Sequence, residues 1–182
     1  DSPKRPKEFY LDEKRIDNLV LSPDGAYITF RLSKSATGSK STIVPNYVTE
    51  SGFTEDIPAR TKVGAPAASY EYFVYQIAKD TIVSIPTKGI EGIYEQPAYL
   101  KEYAVKKDTA KAKKPEARMV LMSGPVWSED SKYAVMVARS TDNKDRWILK
   151  FDPITLKLET IDRQHDEAWI GGPNIGFGTG SL

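Results

Sequence analysis

The 182-residue sequence contains no cysteine. That excludes disulfides, thiol nucleophiles and cysteine-ligated metal. Its only histidine is His165, and the pattern Gly-x-Ser-x-Gly does not occur. A serine triad needs a nucleophile, a base and an orienting acid, so none is expected within this chain. No apolar run approaches the roughly 18 residues of a membrane span. Neither sign of charge prevails: 26 Lys and Arg stand against 25 Asp and Glu, a net charge of +1. A nucleic-acid binder gathers a basic excess on one face, and no such excess exists here. There is no Asn-x-Ser/Thr sequon, and the polar start Asp1-Ser-Pro-Lys-Arg-Pro-Lys7 is not a signal peptide.

What is present is strand signal. Hydrophobic residues make up 40% and charged residues 28%, which places the chain among globular proteins. The segment from Leu19 to Arg31 reads as a hairpin. A short apolar strand enters Ser22-Pro23-Asp24-Gly25, and a β-rich strand leaves from Tyr27. The tetrapeptide has strong turn chemistry, because Pro fixes φ, Asp bonds its own backbone and Gly accepts positive φ. The pattern returns 106 residues later in Pro125 to Val137, with Val20 and Val126, Ser22 and Ser128, Asp24 and Asp130, and Tyr27 and Tyr133 as identical pairs.

Each hairpin is succeeded by a second one, Tyr70 to Ile85 and Arg146 to Ile161, with turns at Ala78–Thr81 and Asp152–Thr155. Two hairpins make four antiparallel strands, the unit of a propeller blade. The expected fold class is therefore all-β: antiparallel four-stranded blades of a β-propeller, incomplete, with about two blades and the start of a third. Blade one is expected over about 15–86 with an insertion at 34–69, a linker over 87–118, blade two over about 119–162, and the start of the next blade over 163–182. Closure takes about 4–8 blades, so the sequence is expected to continue beyond Leu182.

Other features carry less chemistry. The run Lys106–Glu116 reads as a solvated, mobile loop. The stretch Gly171–Ser181 fits neither dinucleotide nor P-loop patterns and reads as an irregular connection. The strand aromatics, among them Tyr72, Trp127, Trp147 and Phe151, alternate with strand period and read as core. His165, near Asp162, Asp166 and Glu167, reads as a surface residue without metal-ligand spacing. No cofactor or metal is expected.

The stretches Leu21–Gly25, Asn46–Asp56, Arg60–Gly64, Gly124–Asp130, Asp142–Trp147 and Asp162–Gly172 together resemble the N-terminal propeller of the prolyl oligopeptidase family, in its bacterial dipeptidyl-peptidase-IV-like branch. The resemblance implies a non-catalytic propeller that gates access and positions a peptide for a downstream α/β-hydrolase domain, which carries the triad. It implies a periplasmic or extracellular protein whose signal peptide has been removed. In that family acidic residues on an excursion before a blade, and an arginine on an earlier loop, hold the substrate's amino terminus. By position, the resemblance assigns those substrate-binding roles to Asp166, Glu167 and Arg60. The expected partners are the peptide substrate, the hydrolase domain and, through exposed blade faces, further copies of the chain. The alternative is a periplasmic binding propeller of the TolB type with no enzymatic domain.

Overall fold

The computed structural model describes residues 5–62, 64–98, 115–171 and 175. Its ten strands are β1 (Arg15–Leu21), β2 (Tyr27–Lys34), β3 (Ser41–Asn46), β4 (Glu55–Thr61), β5 (Ser69–Gln76), β6 (Thr81–Ser84), β7 (Val120–Trp127), β8 (Ala134–Ser140), β9 (Asp145–Asp152) and β10 (Lys157–His165). They form one sheet in the order β1-β2-β5-β6, a second in the order β7-β8-β9-β10, and a separate hairpin β3-β4. All pairings are antiparallel. The chain is thus all-β, built from the four-stranded meanders that the repeated hairpins predict.

The repeat holds at the level of single hydrogen bonds. In the first turn Ser22 Oγ donates to Asp24 Oδ1 at 2.6 Å, and Tyr27 N donates to Ser22 Oγ at 3.0 Å. In the second, Ser128 Oγ donates to Asp130 Oδ1 at 2.8 Å and Tyr133 N to Ser128 Oγ at 3.3 Å. The serine hydroxyls thereby satisfy the Tyr27 and Tyr133 amides and anchor on the aspartate carboxylates. Gly25 at φ 70° is matched by Ser131 at φ 56°, so both turns need a left-handed residue at that place. The turns also meet, since Asp24 N donates to Ser131 Oγ at 3.1 Å.

A bulge repeats with the same period. The β1 register shifts between Asp17 and Val20, and the β7 register between Ser123 and Val126. The positive-φ residues inside these bulges are Asn18 and Gly124, and Asn18 Nδ2 donates to the Gly124 carbonyl at 2.5 Å. β-bulges bend and twist a strand, so the first strands of the two sheets bend alike and touch each other.

The core lies between the sheets. Tyr72 and Val74 of β5 meet Met122, Met136, Trp147, Leu149 and Phe151 of the second sheet, all buried. Tyr72 ties the layers by polar bonds as well: its hydroxyl donates to the Val120 carbonyl at 3.2 Å and accepts from Met122 N at 2.6 Å. Burial first, only partly offset by the Met122 amide, pushes its pKa up to about 12, so it is a neutral donor at all working pH values. Tyr27 stacks on Trp127 at 6.0 Å, and Trp127 meets Phe151 edge-on at 6.4 Å.

The region expected as a linker contributes core, with Ile90 and Ile93 buried beside Ile85. β10 runs past 162 to His165, so those last residues belong to the second sheet. The insertion at 34–69 holds the hairpin β3-β4, which stands apart from both sheets. Residues 106–114 of the charged run, and most of the glycine-rich stretch, lie outside the described residues.

Candidate functional site

The strand register builds the site. Asp145 opens β9, and its cross-strand partner is His165 at the end of β10. Arg163 lies two residues back and therefore on the same face. Arg118 approaches from the segment leading into β7, where its own amide donates to the Ile93 carbonyl at 2.8 Å. These three side chains converge on one fully buried carboxylate. Asp145 Oδ2 accepts from Arg118 Nη1 at 2.6 Å. Oδ1 accepts from Arg163 Nη2 at 2.9 Å and Nε at 3.1 Å, and lies 3.0 Å from His165 Nδ1. The Asp145 amide donates to Ser140 Oγ at 3.0 Å, which fixes the hairpin that carries it.

The network opens outward into a cleft of about 130 Å³. At its mouth stand two exposed acids. Glu95 accepts from Arg163 Nη2 at 2.5 Å, and Glu167 Oε1 lies 3.2 Å from His165 Nε2. Lys144 closes a third side by donating to the Glu167 carbonyl, with its Nζ 4.0 Å from Glu167 Oε2. Trp147 floors the site: both guanidinium carbons, of Arg118 at 5.5 Å and Arg163 at 5.9 Å, lie over its ring. Gly92 must stay bare, because a Cβ there would come within 2.1 Å of Arg163 Nη1.

These contacts set the electrostatics. Burial alone would raise the Asp145 pKa, but hydrogen bonds from Arg118, Arg163 and His165 outweigh it and hold the carboxyl below its ordinary value. Glu95 is held low by its bond from Arg163. The Arg163 guanidinium is raised, first by Glu95 and then by Asp145. His165 is raised, first by Glu167 and then by Asp145. With a carboxylate at each ring nitrogen both must donate, which requires the imidazolium.

The two shifts have opposite consequences for stability. His165 is raised, so its contribution is fully present below the unfolded value of about 6.5 and is lost as pH rises through the higher folded value. Asp145 is lowered, so its contribution is present above about 3.9 and is lost as pH falls through the lower folded value. Urea midpoints measured from pH 3 to pH 9 should form a plateau between those limits and decline on both sides. The alkaline decline should shrink in His165→Gln. An alkaline limb of unchanged depth in that variant would remove His165 as its source.

Of the residues singled out by sequence, Glu167 lines this cleft and His165 joins it, although the His165 side chain is 41% exposed. Asp166 has another task. Its Oδ1 accepts from Ala168 N at 2.7 Å and Trp169 N at 2.9 Å, closing the turn after β10. The Trp169 and Ala168 amides lower its pKa. Arg60 sits exposed on β4. Among the described residues no hydrogen bond or ion pair joins it to Asp166 or Glu167. No group of three or more His, Asp or Glu that could hold a metal occurs among the described residues, and no helix there is long and apolar enough to cross a membrane.

Sequence reading missed Asp145, Arg118, Arg163 and Glu95. Comparison with known proteins adds little chemistry. No family model matches the chain, and no curated protein does. Two solved structures are similar in shape. One is named as a candidate dipeptidyl aminopeptidase IV from Bacteroides ovatus, with a TM-score of 0.48 and 10% identity over 84% of this chain. The other is Porphyromonas gingivalis dipeptidyl peptidase 4, with a TM-score of 0.49 and 12% identity over 83% of this chain. The chain spans 18% of the length of each. Strand pairing and packing carry the fold assignment, and the geometry of the cleft carries the functional reading.

Proposed function

We propose that the chain is the opening part of a non-catalytic propeller that positions a peptide for a hydrolase domain of the same protein, exported to the periplasm or beyond. In this reading the sheet over about 15–86 is the first blade, the sheet over about 119–162 the second, and 163–182 leads into the next. The observation that supports it is the cleft. Glu167 and Glu95 are both exposed at its mouth, each already bound to a cationic partner over a buried carboxylate. Such acids hold a peptide ammonium group by charge-assisted bonds, about twice as strong as neutral ones. Arg60 would clamp a peptide carbonyl from the β3-β4 hairpin with its rigid donor fork.

The test compares peptides with free and blocked amino ends in the full-length enzyme. Glu167→Gln removes the charge and should lower kcat/KM about tenfold to a hundredfold on free-ended peptides, the loss of one charged hydrogen bond. Blocked peptides should change little. Asp166→Asn keeps the turn acceptor and removes only charge, so it separates substrate contact from turn closure. Equal losses on both peptide types would make the acids structural and would favour a binding propeller without an enzymatic domain.

The unclosed sheets carry a second expectation. Leu19 and Leu21 of β1 and Val126 of β7 are exposed, and β6 and β10 are sheet edges. Repeats bury their faces only against neighbours, and open edges pair readily. The 182-residue chain alone should therefore self-associate in sedimentation velocity as its concentration rises. A single monomer boundary at all concentrations would refute this.

A further inference from the structure

The cleft holds one group whose charge changes near neutral pH. His165 stands between two carboxylates, with Nδ1 3.0 Å from Asp145 Oδ1 and Nε2 3.2 Å from Glu167 Oε1. The two acids differ in surroundings. Asp145 is fully buried, whereas the Glu167 side chain is 70% exposed. Other charges face the imidazole from the neighbouring elements. Arg163 shares its strand and binds the same Asp145 oxygen. Arg118 reaches the other oxygen from the segment before β7. Lys144 and Glu95 line the same cleft, and Asp166 follows in the turn, where the charges of His165 and Lys144 act on it.

The imidazolium donates to both acids, and losing one proton breaks that symmetry. A neutral imidazole has one N–H and one lone pair. Water has access to Glu167 and none to Asp145, so the remaining proton is worth most on Nδ1, where it serves the buried acid. Nε2 then becomes an acceptor, and it faces Glu167 Oε1 at 3.2 Å. Two acceptors at that distance call for a donor. An ammonium group carries three N–H donors and a positive charge. In the protonated cleft the same ammonium would meet an imidazolium at close range, and like charges so near oppose each other. Only one of the two cations suits the acceptor pair at a time.

We propose that a peptide's amino end enters this cleft by exchange for the Nε2 proton of His165: the ammonium donates to Nε2 and to Glu167, and the displaced proton leaves to solvent. One cation replaces another, the ammonium keeps its three hydrogens, and the only bond broken is Nε2–H. Glu95, at the same mouth, offers an acceptor to the remaining ammonium hydrogen. The exchange rests on the amino-end reading of the cleft and adds a ligand to it, since His165 then touches the substrate. The His165 pKa is raised, first by Glu167. The ring is therefore charged at the ordinary histidine value of about 6.5, and an ammonium arriving there must displace its proton.

Calorimetric titration of the full-length protein at low ionic strength would use Ala-Ala-amide and acetyl-Ala-Ala-amide as probes, each in two buffers of different ionisation heat. At pH 6 the probe amine stays charged, since such amines titrate at about 7.7–8.0, so a proton that appears comes from the protein. Ala-Ala-amide should bind with release of up to about one proton. Its affinity should rise about tenfold between pH 5.5 and pH 7, one pKa unit of competition between neighbouring charges. His165→Gln has no proton to exchange. It should still prefer the free-ended probe, through Glu167 and Glu95, but release no proton and show a flat profile over this range. His165→Lys keeps its charge throughout and should bind Ala-Ala-amide weakly at every pH. Circular dichroism would check that both variants fold, and should neither fold, the proton count on the unaltered protein decides. Ala-Ala-amide binding without proton release, or a pH profile unchanged in His165→Gln, would overturn the exchange and leave the amino-end reading standing. Equal binding of the two probes, or none at millimolar concentration, would remove that reading and the exchange with it.

Discussion

Replacing Asp145 by alanine should destabilise the fold by about 3–5 kcal/mol, the cost of leaving buried charges without their counter-ion. The carboxylate has no exposed surface, and its two oxygens take bonds from Arg118, Arg163 and His165. Removing it strands Arg118 and Arg163, whose side chains are only 10% and 18% exposed. Arg163 keeps Glu95, but that acid is 64% exposed and its pairing is screened by water. Arg118 keeps a 3.7 Å contact with Asp142. Asp145→Asn should cost less, because the amide oxygen still accepts a bond while the amide nitrogen faces donors. Urea unfolding would measure both. At slopes of about 1–3 kcal/mol per molar, the alanine midpoint should move by more than about 1 M. A change below about 1 kcal/mol would show that water already neutralises the site.

That network explains what sequence could and could not reveal. The two turns were legible because their chemistry is local: Ser22, Asp24 and Tyr27 bond within six residues, and Ser128, Asp130 and Tyr133 do the same. The sheets were legible too, because alternation and turn residues both specify antiparallel hairpins. The bulges at Asn18 and Gly124 were not, since they differ in residue type although they share an offset. Asp145 is not set apart from Asp142 by anything in residue type in the stretch Asp142-Asn-Lys-Asp145. Its role depends on register, which sets His165 opposite it, and on Arg118 and Glu95, which enter from outside the sheet. Counting back from the Asp152–Thr155 turn would have set Gln164 opposite Asp145, and the one-residue bulge between Thr160 and Asp162 shifts the pairing so that His165 stands there instead.

Trp147→Ala should cost about as much as loss of the carboxylate, about 3–5 kcal/mol, but through packing rather than charge. The side chain is completely buried in the core between the sheets. Its ring and its edge serve different neighbours. The ring carries the Arg118 and Arg163 guanidinium groups, while its edge donates from Nε1 to the Glu91 carbonyl at 2.9 Å. That bond anchors the segment that holds Glu95 at the mouth of the cleft. Trp147→Phe should therefore separate the two roles. It restores much of the buried area and leaves the Glu91 carbonyl without its donor, so its stability loss should be smaller, about 1–3 kcal/mol. Yet hydrogen exchange of the amides at Ile93 and Glu95, which bond back to Ile90 and Gly92, should quicken in Trp147→Phe beyond what the global loss of stability accounts for. If exchange there changed only in step with global unfolding, the Trp147 edge would be packing alone, and the segment carrying Glu95 would be held by the burial of Ile90 and Ile93.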